Sequence, residues 1–399
     1  MPARFRFNLM ELAGSLGDLG TLLPIAIAMI LINGLNPLGV FFSIGIFYVV
    51  SGIFFGVTVP VQPMKVIGAY AIATSMSASQ IFAATLLMGV VLLIIGLTGA
   101  IKTIEKYTPT SVIRGVQLST GALLISGGAK LIIGTSKFQA LQQSAEPNLM
   151  IQSIGPVSIG IIIGIIGGIT TLLLLDNKRF PPGLVVVMSG ILLGLLLGAH
   201  SGLEKLQLGI NWPELMPFDL PGKADFTFAL FALVIPQLPM SIGNAVLAYT
   251  DLSREYFGKR SGRVTNKNAC LSMSVANFLS FSMGGMPLCH GAGGLAAHYR
   301  FGARTAGSNL MIGLVFIVLA IFFGNQIVGA VQLLPLSILG ILLMFAGLQL
   351  TLTIIDLKGR KEYFVALLIL GITLASNLAA GFITGIVVAH LLKWNKLSV

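Results

Sequence analysis

The sequence predicts an all-α membrane protein that crosses the bilayer many times, and its composition supports this fold class in two ways. Of its 399 residues, 55% are hydrophobic and 9% are charged, with a mean hydropathy of +0.95, whereas soluble domains carry roughly 25% charged residues. The 48 glycines and 17 prolines are too many for regular helices alone. Membrane helices tolerate them where the freed backbone groups find protein or water partners. We therefore expect several broken helices.

Apolar runs of about 20 residues, or shorter half-helices that meet at mid-membrane, mark the individual spans. About fourteen such runs are present, and spans 3 and 10 are short pieces preceded by extended segments that contain proline, which is typical of half-helices. The predicted spans cover residues 8–32, 38–59, 63–78, 80–101, 109–133, 154–175, 183–200, 226–250, 264–282, 289–303, 306–324, 331–353, 362–378 and 380–394.

The basic residues predict the topology. The formal charge is +11, but its carriers are scattered between spans and form no aromatic-interleaved patch, so we expect no nucleic-acid partner. A cytoplasmic N-terminus places 19 of the 24 lysines and arginines inside, as the positive-inside rule requires. We expect a multi-pass protein of the cell membrane with both termini cytoplasmic. Lys65 falls within the membrane, and the residues left outside are Lys130, Lys137, Lys205 and Lys223.

Two short sequence matches, separated by nearly the same number of residues, indicate an internal repeat. Residues 15–18 (SLGD) resemble residues 241–244 (SIGN), 226 positions later, and Pro63 precedes Pro287 by 224 positions. Because each repeat would hold seven spans, an odd number, the second repeat must enter the membrane from the opposite side. The predicted units are a first inverted repeat at 1–200, an extracellular linker at 201–225 and a second inverted repeat at 226–399.

Residues 59–65 and 284–294 predict a binding site for an anion. Their prolines are compatible with an extended strand that leads into a helix starting near mid-membrane. Two helix N-termini would then face each other, each with free N–H groups and about half a positive charge. For Gly291, Gly293 and Gly294, close packing of helices through small residues is the alternative to close approach of a ligand. The candidate substrate-binding residues in these segments are Gln62, Met64, Lys65, Cys289, His290, Gly291, Ala292 and Gly293.

Three charged residues in the first three spans have two interpretations each. Lys65 either attracts an anionic substrate or forms an ion pair with Asp18 or Glu11, because a charge within the membrane is costly unless it is paired or solvated. Asp18 is either the counter-ion of Lys65 or a proton carrier. Glu11 lies nearer the inner surface, where a solvated interfacial role competes with proton coupling.

Neutral polar residues complete the candidate set. Thr21, Gln237 and Asn244 either donate hydrogen bonds to a substrate or only join helices. His290 stands at a predicted helix start, where a neutral ring is favoured, as a hydrogen-bond donor or as a structural residue. The chain contains no HExxH motif, no paired CxxC motifs and no Walker loop. We therefore expect no metal, no cofactor and no enzymatic activity.

Four stretches resemble the signature sequences of the molybdate transporter family, which is related to the sulfate permeases. The resemblance implies the seven-plus-seven inverted-repeat fold shared with uracil permease. It also implies a core domain of spans 1–4 and 8–11, a gate domain of spans 5–7 and 12–14, and uptake of molybdate, a tetrahedral dianion. The stretches are ELAGSLGDLGT at 11–21, PVQPMK at 60–65, MPLCHGAGGLA at 286–296 and YRFGAR at 299–304.

Both lines of reasoning predict that an anion binds between the two helix N-termini and is carried by alternating access. The resemblance implies that the protein is a secondary active transporter that imports molybdate, and Asp18 is the best candidate for proton symport. A carrier of sulfate or of oxyanions in general is an alternative, with tungstate and sulfate as further substrates, and a passive anion channel is another. A nucleobase symporter would be expected to use a buried acid in the eighth span, where this chain has Gln237 and Asn244. Membrane lipid is an expected partner, and a homodimer is a further option.

Overall fold

The structure is a computed structural model that describes residues 4–175, 177, 181–199, 201–204 and 208–393, with the backbone alone for 102, 105, 106, 201 and 202. Of the basic residues used to predict topology, Lys178, Arg179, Lys205 and Lys396 lie outside the described residues.

The first half of the described chain is helical, with three two-residue strands. Its elements are α1 (Leu9–Ser15), α2 (Leu19–Asn33), α3 (Pro37–Phe55), β1 (Gln62–Pro63), α4 (Lys65–Thr74), α5 (Ala78–Thr98), α6 (Ile101–Tyr107), α7 (Thr110–Ile133), α8 (Lys137–Gln142), β2 (Ser153–Ile154), β3 (Val157–Ser158), α9 (Ile159–Leu174), α10 (Pro182–Leu196) and α11 (Ser201–Glu204).

The second half begins inside the predicted linker 201–225 and includes one more short strand. Its elements are α12 (Lys223–Ala229), a π-helix (Leu230–Val234), α13 (Ile235–Met240), a second π-helix (Ser241–Ala248), α14 (Tyr249–Phe257), a 3-10 turn (Gly258–Ser261), α15 (Asn266–Ser282), β4 (Leu288–Cys289), α16 (Ala292–Arg300), α17 (Ala306–Phe323), a 3-10 turn (Gly324–Gln326), α18 (Ile327–Gln332), α19 (Leu336–Thr351), a 3-10 turn (Leu352–Asp356), α20 (Arg360–Ala375) and α21 (Leu378–Leu391).

The length and composition of these helices suit a membrane protein. Within the described chain, six helical segments are long and apolar enough to cross a bilayer, and the bent pair α1 and α2 brings the number to seven. Four further apolar helices, α4, α9, α10 and α21, have 10–17 residues. Leucine, isoleucine and valine side chains are exposed on many of them, as expected where lipid replaces water. The chain is therefore a helical, polytopic membrane protein.

The first predicted span, over 8–32, is a broken helix. Helices α1 and α2 meet at an angle of 45°, and Asp18 is the N-cap of α2. A Cβ atom at Gly17 would lie 2.9 Å from the carbonyl oxygen of Ala297 on α16. The break therefore lets the backbone of α16 approach the first span closely.

The eighth span is longer than the predicted 226–250 and contains two widened turns. A continuous helical run covers Lys223–Ser261, and the two π-helical segments lie on either side of α13, which contains Pro236 and Pro239. Proline lacks an N–H and clashes with the preceding turn, so a wider turn accommodates it, and π-bulges are frequent at functional sites. Asn244 lies in the second of these segments.

The two proline-containing segments pair with each other, as extended backbone. Strand β1 runs antiparallel to β4, with Gln62 opposite Cys289 and Pro63 opposite Leu288. The Met64 N–H donates to the carbonyl oxygen of Pro287 at 2.9 Å. Short helices follow directly, ten residues in α4 and nine in α16. The pairing satisfies backbone groups that would otherwise be unbonded in the membrane interior.

Glycines bring α7 and α19 into backbone contact. A Cβ at Gly121 would lie 2.5 Å from the Gly347 carbonyl oxygen, and a Cβ at Gly128 would lie 2.3 Å from that of Gly340. The reverse substitutions meet the same obstacles, at 2.6 Å in both cases. Small residues allow this close approach between membrane helices, which lack a hydrophobic driving force for association.

Two neighbouring glycines of α7 provide a matched test of this contact. Gly128→Ala should lower the melting temperature in detergent, because overpacking typically costs about 1–3 kcal/mol. Gly127→Ala is the control, since its Cβ would have no neighbour within 4 Å, and alanine should hold or raise stability through its better helix propensity. Equal melting temperatures for the two variants would show that the contact does not determine how α7 packs.

Candidate functional site

The site centres on a cavity that the two short helices share with neighbouring helices. The cavity has a volume of about 330 Å³, and its lining comes from α2, α4 and α16 on one side and from α9, α10 and α19 on the other. A smaller cavity of about 220 Å³ also lies against Thr21, Lys65 and Gly293 and extends to Asn244. Asp18 and Gln62 line the larger cavity. Six of the predicted site residues therefore come together here.

Lys65 is the first residue of α4 and lines both cavities. Among the described residues, the ion pairs are Arg114 with Asp356 and Arg254 with Asp251. Asp18 lies in the same cavity as Lys65 but does not form an ion pair with it. The ammonium group is therefore available for an anion.

Asp18 is buried and only partly hydrogen-bonded. Its Oδ1 accepts a hydrogen bond from Gln62 Nε2 at 2.8 Å, and its Oδ2 has no partner among the described residues. A Cβ at Gly294 would lie 2.4 Å from Oδ2, and a Cβ at Gly291 would lie 1.9 Å from Gln62 Oε1. A Cβ at either glycine would therefore displace the Asp18–Gln62 pair, so these two glycines accommodate it.

Gly293 differs from its two neighbours, because a Cβ there would meet nothing within 4 Å. The residue is exposed and lines both cavities. Among the residues that the structure describes, no side chain caps the N-terminus of α16, which starts at Ala292. The start of α16 therefore presents backbone and the positive end of its helix dipole to open space, which favours an anion.

The N-terminus of α4 is occupied by Gln237. The side-chain oxygen Oε1 accepts from the N–H groups of Val66 at 2.9 Å and Ile67 at 3.2 Å. The amide nitrogen of Gln237 donates to Ser241 Oγ at 2.9 Å. Gln237 is buried and lines neither cavity. The structure thus places Gln237 as a cap of α4, whereas no described side chain caps the N-terminus of α16.

His290 lies behind the paired strands, in a polar and aromatic cage. Its Nδ1 is 2.9 Å from the Pro60 carbonyl oxygen, which can only accept, so Nδ1 carries the proton. Nε2 then accepts from Ser272 Oγ at 3.1 Å. The rings of Phe47 and Tyr249 pack against it, with centroids at 4.8 and 5.1 Å. Both ring nitrogens are used, which fits the structural interpretation.

The remaining candidates support the backbone of the site. Met64 is fully buried as the N-cap of α4, and the Cys289 thiol contacts the Pro63 carbonyl oxygen at 3.6 Å. Glu11 is buried, and its Oε2 accepts from the N–H groups of Arg304 at 3.0 Å and Thr305 at 3.1 Å. Glu11 therefore anchors the start of α17 and lies outside the cavity lining.

Sequence reasoning missed the polar residues on the opposite wall of the cavities. Gln349 of α19 lines both cavities, and Gln117 of α7 lines the smaller one. Gln117 Oε1 accepts from Arg114 at 2.8 Å and from Thr353 at 2.9 Å. Two glutamines within otherwise apolar spans are the signal that could have identified this wall, by the same rule that selected Gln237.

Comparisons with known proteins agree on one kind of protein. Residues 10–124 and 229–350 match the family model described as molybdate transporter of MFS superfamily. The chain is 30% identical to molybdate transporter 2 of Arabidopsis thaliana, over 97% of this chain and 88% of that protein. It is 28% identical to molybdate transporter 1 of Chlamydomonas reinhardtii, over 94% of this chain and 90% of that protein.

Solved structures show which fold the chain adopts. The transmembrane domain of the cyanobacterial bicarbonate transporter BicA superposes with a TM-score of 0.66 at 16% identity, over 95% of this chain and 96% of that domain. The inward-facing murine anion transporter solute carrier 26 family member A9 gives a TM-score of 0.66 at 16% identity, over 97% of this chain and 68% of that chain. At this identity the likeness establishes the fold alone.

A side chain at Gly293 should fill the cavity without disturbing the fold. We expect Gly293→Leu to weaken anion binding by more than about tenfold, or about 1.4 kcal/mol, in a calorimetric titration with a tetrahedral oxyanion. The melting temperature should be retained. Gly371→Leu in α20, where a Cβ also meets nothing within 4 Å, controls for added apolar bulk. Parental affinity in the Gly293 variant would place the ligand elsewhere.

Proposed function

Because the chain belongs to the molybdate transporter family, whose members are transporters and not enzymes, we propose that it imports molybdate by alternating access. The described chain has six long apolar helical segments, or seven with the bent pair α1 and α2, and four shorter apolar helices, as a multi-pass membrane protein requires. The relatives that match over nearly the whole chain are molybdate transporters. This similarity is the reason to choose molybdate among the oxyanions.

One observation carries the proposal: the Lys65 ammonium and the N-terminus of α16 open on the same cavity, and among the described residues the first has no ion pair and the second no side-chain cap. A fixed positive charge within a membrane is costly unless it is paired or solvated, so such a residue marks an ion pathway by default. Backbone N–H groups at a helix N-terminus bind tetrahedral oxyanions well. Gly293 leaves the backbone accessible to the anion, and Thr21 and Asn244 supply neutral donors at its sides.

Uptake of a dianion into a negative cell needs an energy source. Each elementary charge moved against 100 mV costs about 2.3 kcal/mol, so a dianion costs about 4.6 kcal/mol. Proton symport lowers this cost: one proton that enters with each anion halves the net charge moved, and two protons cancel it. Asp18 is the proposed carrier, because it lines the cavity that would hold the anion and its buried Oδ2 has no hydrogen-bond partner among the described residues. An ionised Asp18 would repel the dianion, so protonation and anion binding would support each other.

We propose the seven-plus-seven inverted repeat, with units at 1–200 and 226–399 joined by an extracellular linker at 201–225. Helices at all fourteen predicted positions support it. The contact pattern adds support: α3 packs on α17 and α5 on α15, which in span numbers are the pairs 2 with 11 and 4 with 9. Span 2 of the first repeat would correspond to span 9 of the second, and span 4 to span 11, so an inverted repeat relates the two pairs to each other. Helices α7 and α19, spans 5 and 12, would pack across the symmetry axis.

Alternating access would come from motion of a core domain against a gate domain, formed by spans 1–4 with 8–11 and spans 5–7 with 12–14. The cavity lies where these proposed domains meet, because α2, α4 and α16 belong to the core and α9, α10 and α19 to the gate. Gly20 of α2 touches Gly183 of α10 backbone to backbone, and a Cβ at Gly183 would lie 2.1 Å from the Gly20 Cα atom. Because neither glycine has a side chain at this contact, no side chain there would obstruct sliding of the domains.

The positive-inside count supports a cytoplasmic location for both termini. A carrier of sulfate or tungstate remains the main alternative, because a tetrahedral dianion is all that the site chemistry specifies. Competition of radiolabelled molybdate uptake by sulfate and by tungstate in proteoliposomes separates these substrates. Saturation and counterflow in the same vesicles distinguish a carrier from a passive channel.

Removal of the Lys65 charge should weaken binding. We expect Lys65→Ala to raise the dissociation constant for molybdate about 10- to 150-fold, since a hydrogen bond to a charged group contributes about 1.5–3 kcal/mol. Lys65→Arg should keep part of the affinity. Lys358→Ala, at an exposed position before α20, is the control. Calorimetric titration of folded variants checks this, and unchanged affinity in Lys65→Ala would contradict a direct role.

Replacement of Asp18 should uncouple protons from transport. Asp18→Asn keeps an acceptor for Gln62 but cannot bind and release a proton, so an inward proton gradient should no longer accelerate uptake. Exchange of molybdate at equal pH on both sides should continue. The matched control is Glu11→Gln, outside the cavity, which should still respond to the gradient. If Asp18→Asn responds like the parent in proteoliposomes, Asp18 is only structural.

A further inference from the structure

A deep apolar groove runs along the outside of the protein between α3 and α15. Its volume is about 490 Å³, and its walls include Val50, Phe54, Leu271 and Val275. Three of these side chains are well exposed, at 52% for Val50, 43% for Phe54 and 60% for Val275. The groove therefore faces the hydrocarbon region of the bilayer, and its volume makes it a recess rather than a flat contact.

A basic pocket lies at the end of α3, next to this groove. Its volume is about 340 Å³, and Arg4, Lys259, Arg260 and Arg263 line it together with Phe55 and Gly56. No acidic residue of the described chain lines the pocket, and neither of the two described ion pairs involves any of these cations. Four positive charges are thus concentrated there without a balancing carboxylate.

The groove and the pocket share a wall. Arg263 donates to the Phe54 carbonyl oxygen at 3.0 Å, while the Phe54 ring lines the groove. Asn268, another groove residue, donates from its side chain to the Arg263 carbonyl oxygen at 2.8 Å. Arg4 also binds a carbonyl at the end of α3, that of Ile53. The cations are therefore held at the point where the apolar groove ends.

We propose that this surface binds an anionic phospholipid, with its phosphate in the basic pocket and an acyl chain in the groove. Lysine and arginine bind phosphate oxygens through charge-assisted hydrogen bonds, and basic pockets at membrane helix ends bind lipid head groups. Only an amphipathic ligand with a negative head group matches both the apolar groove and the basic pocket. None of the four cations lines the cavities around Lys65, so the lipid site is separate from the proposed transport site.

Lys259 and Arg260 provide the first test, because both are exposed and neither has a described bond to a backbone carbonyl. Short-chain phosphatidylglycerol should raise the melting temperature of the full chain in detergent, and phosphatidylcholine should raise it much less. The double variant Lys259→Gln with Arg260→Gln should need about 30-fold more phosphatidylglycerol for a half-maximal shift, at about fivefold per charge. Lys358→Gln with Arg360→Gln removes two charges elsewhere on the same predicted face and should behave like the parent.

The groove half of the proposal is tested with Val275→Trp, which places a bulky ring where the acyl chain would lie while the cations stay in place. The phosphatidylglycerol shift should fall. Equal shifts with phosphatidylcholine would overturn the anionic requirement, and an equal effect of inorganic phosphate alone would indicate a free-anion site. A variant that changes the oligomeric state in light scattering, without losing the lipid shift, would make the groove an interface between copies of this chain.

Discussion

The backbone pairing of β1 with β4 is the constraint on which the rest of the site depends. Extended backbone inside a bilayer has no water to bond, so each strand must satisfy the other. Their antiparallel register, with Gln62 opposite Cys289, brings the starts of α4 and α16 to one place. The Asp18–Gln62 hydrogen bond and the glycines that accommodate it then follow from this geometry.

The two short helices are not equivalent, although each of them follows one strand of the β1–β4 pair. Gln237 caps α4, whereas α16 begins without a side-chain cap and faces the cavity at Gly293. The anion is therefore expected nearer to α16, with Lys65 supplying from the α4 side the charge that its capped amides no longer offer. This division explains why one site contains both a lysine and an open helix N-terminus.

Composition and proline placement predict the fold class and the paired half-helices, because these depend on properties visible along the chain. They also select Lys65, Asp18 and Gly293, which the structure brings to one cavity. Sequence alone does not separate Gly293 from Gly291, since only the neighbouring atoms decide which glycine is packed and which is open. For the same reason Gln237 was grouped with the ligands and Gln349 was missed: both are intramembrane amides, and their direction depends on helix rotation.

Anomalous X-ray scattering at the molybdenum absorption edge tests the central claim most directly, because it locates the anion without a mutation. Crystals of the full chain grown with molybdate should give one strong difference peak between the Lys65 ammonium and the start of α16, bordered by Thr21 and Gly293. A strong peak at another place in the protein, or crystals saturated with molybdate that show no peak in this cavity, would contradict the account.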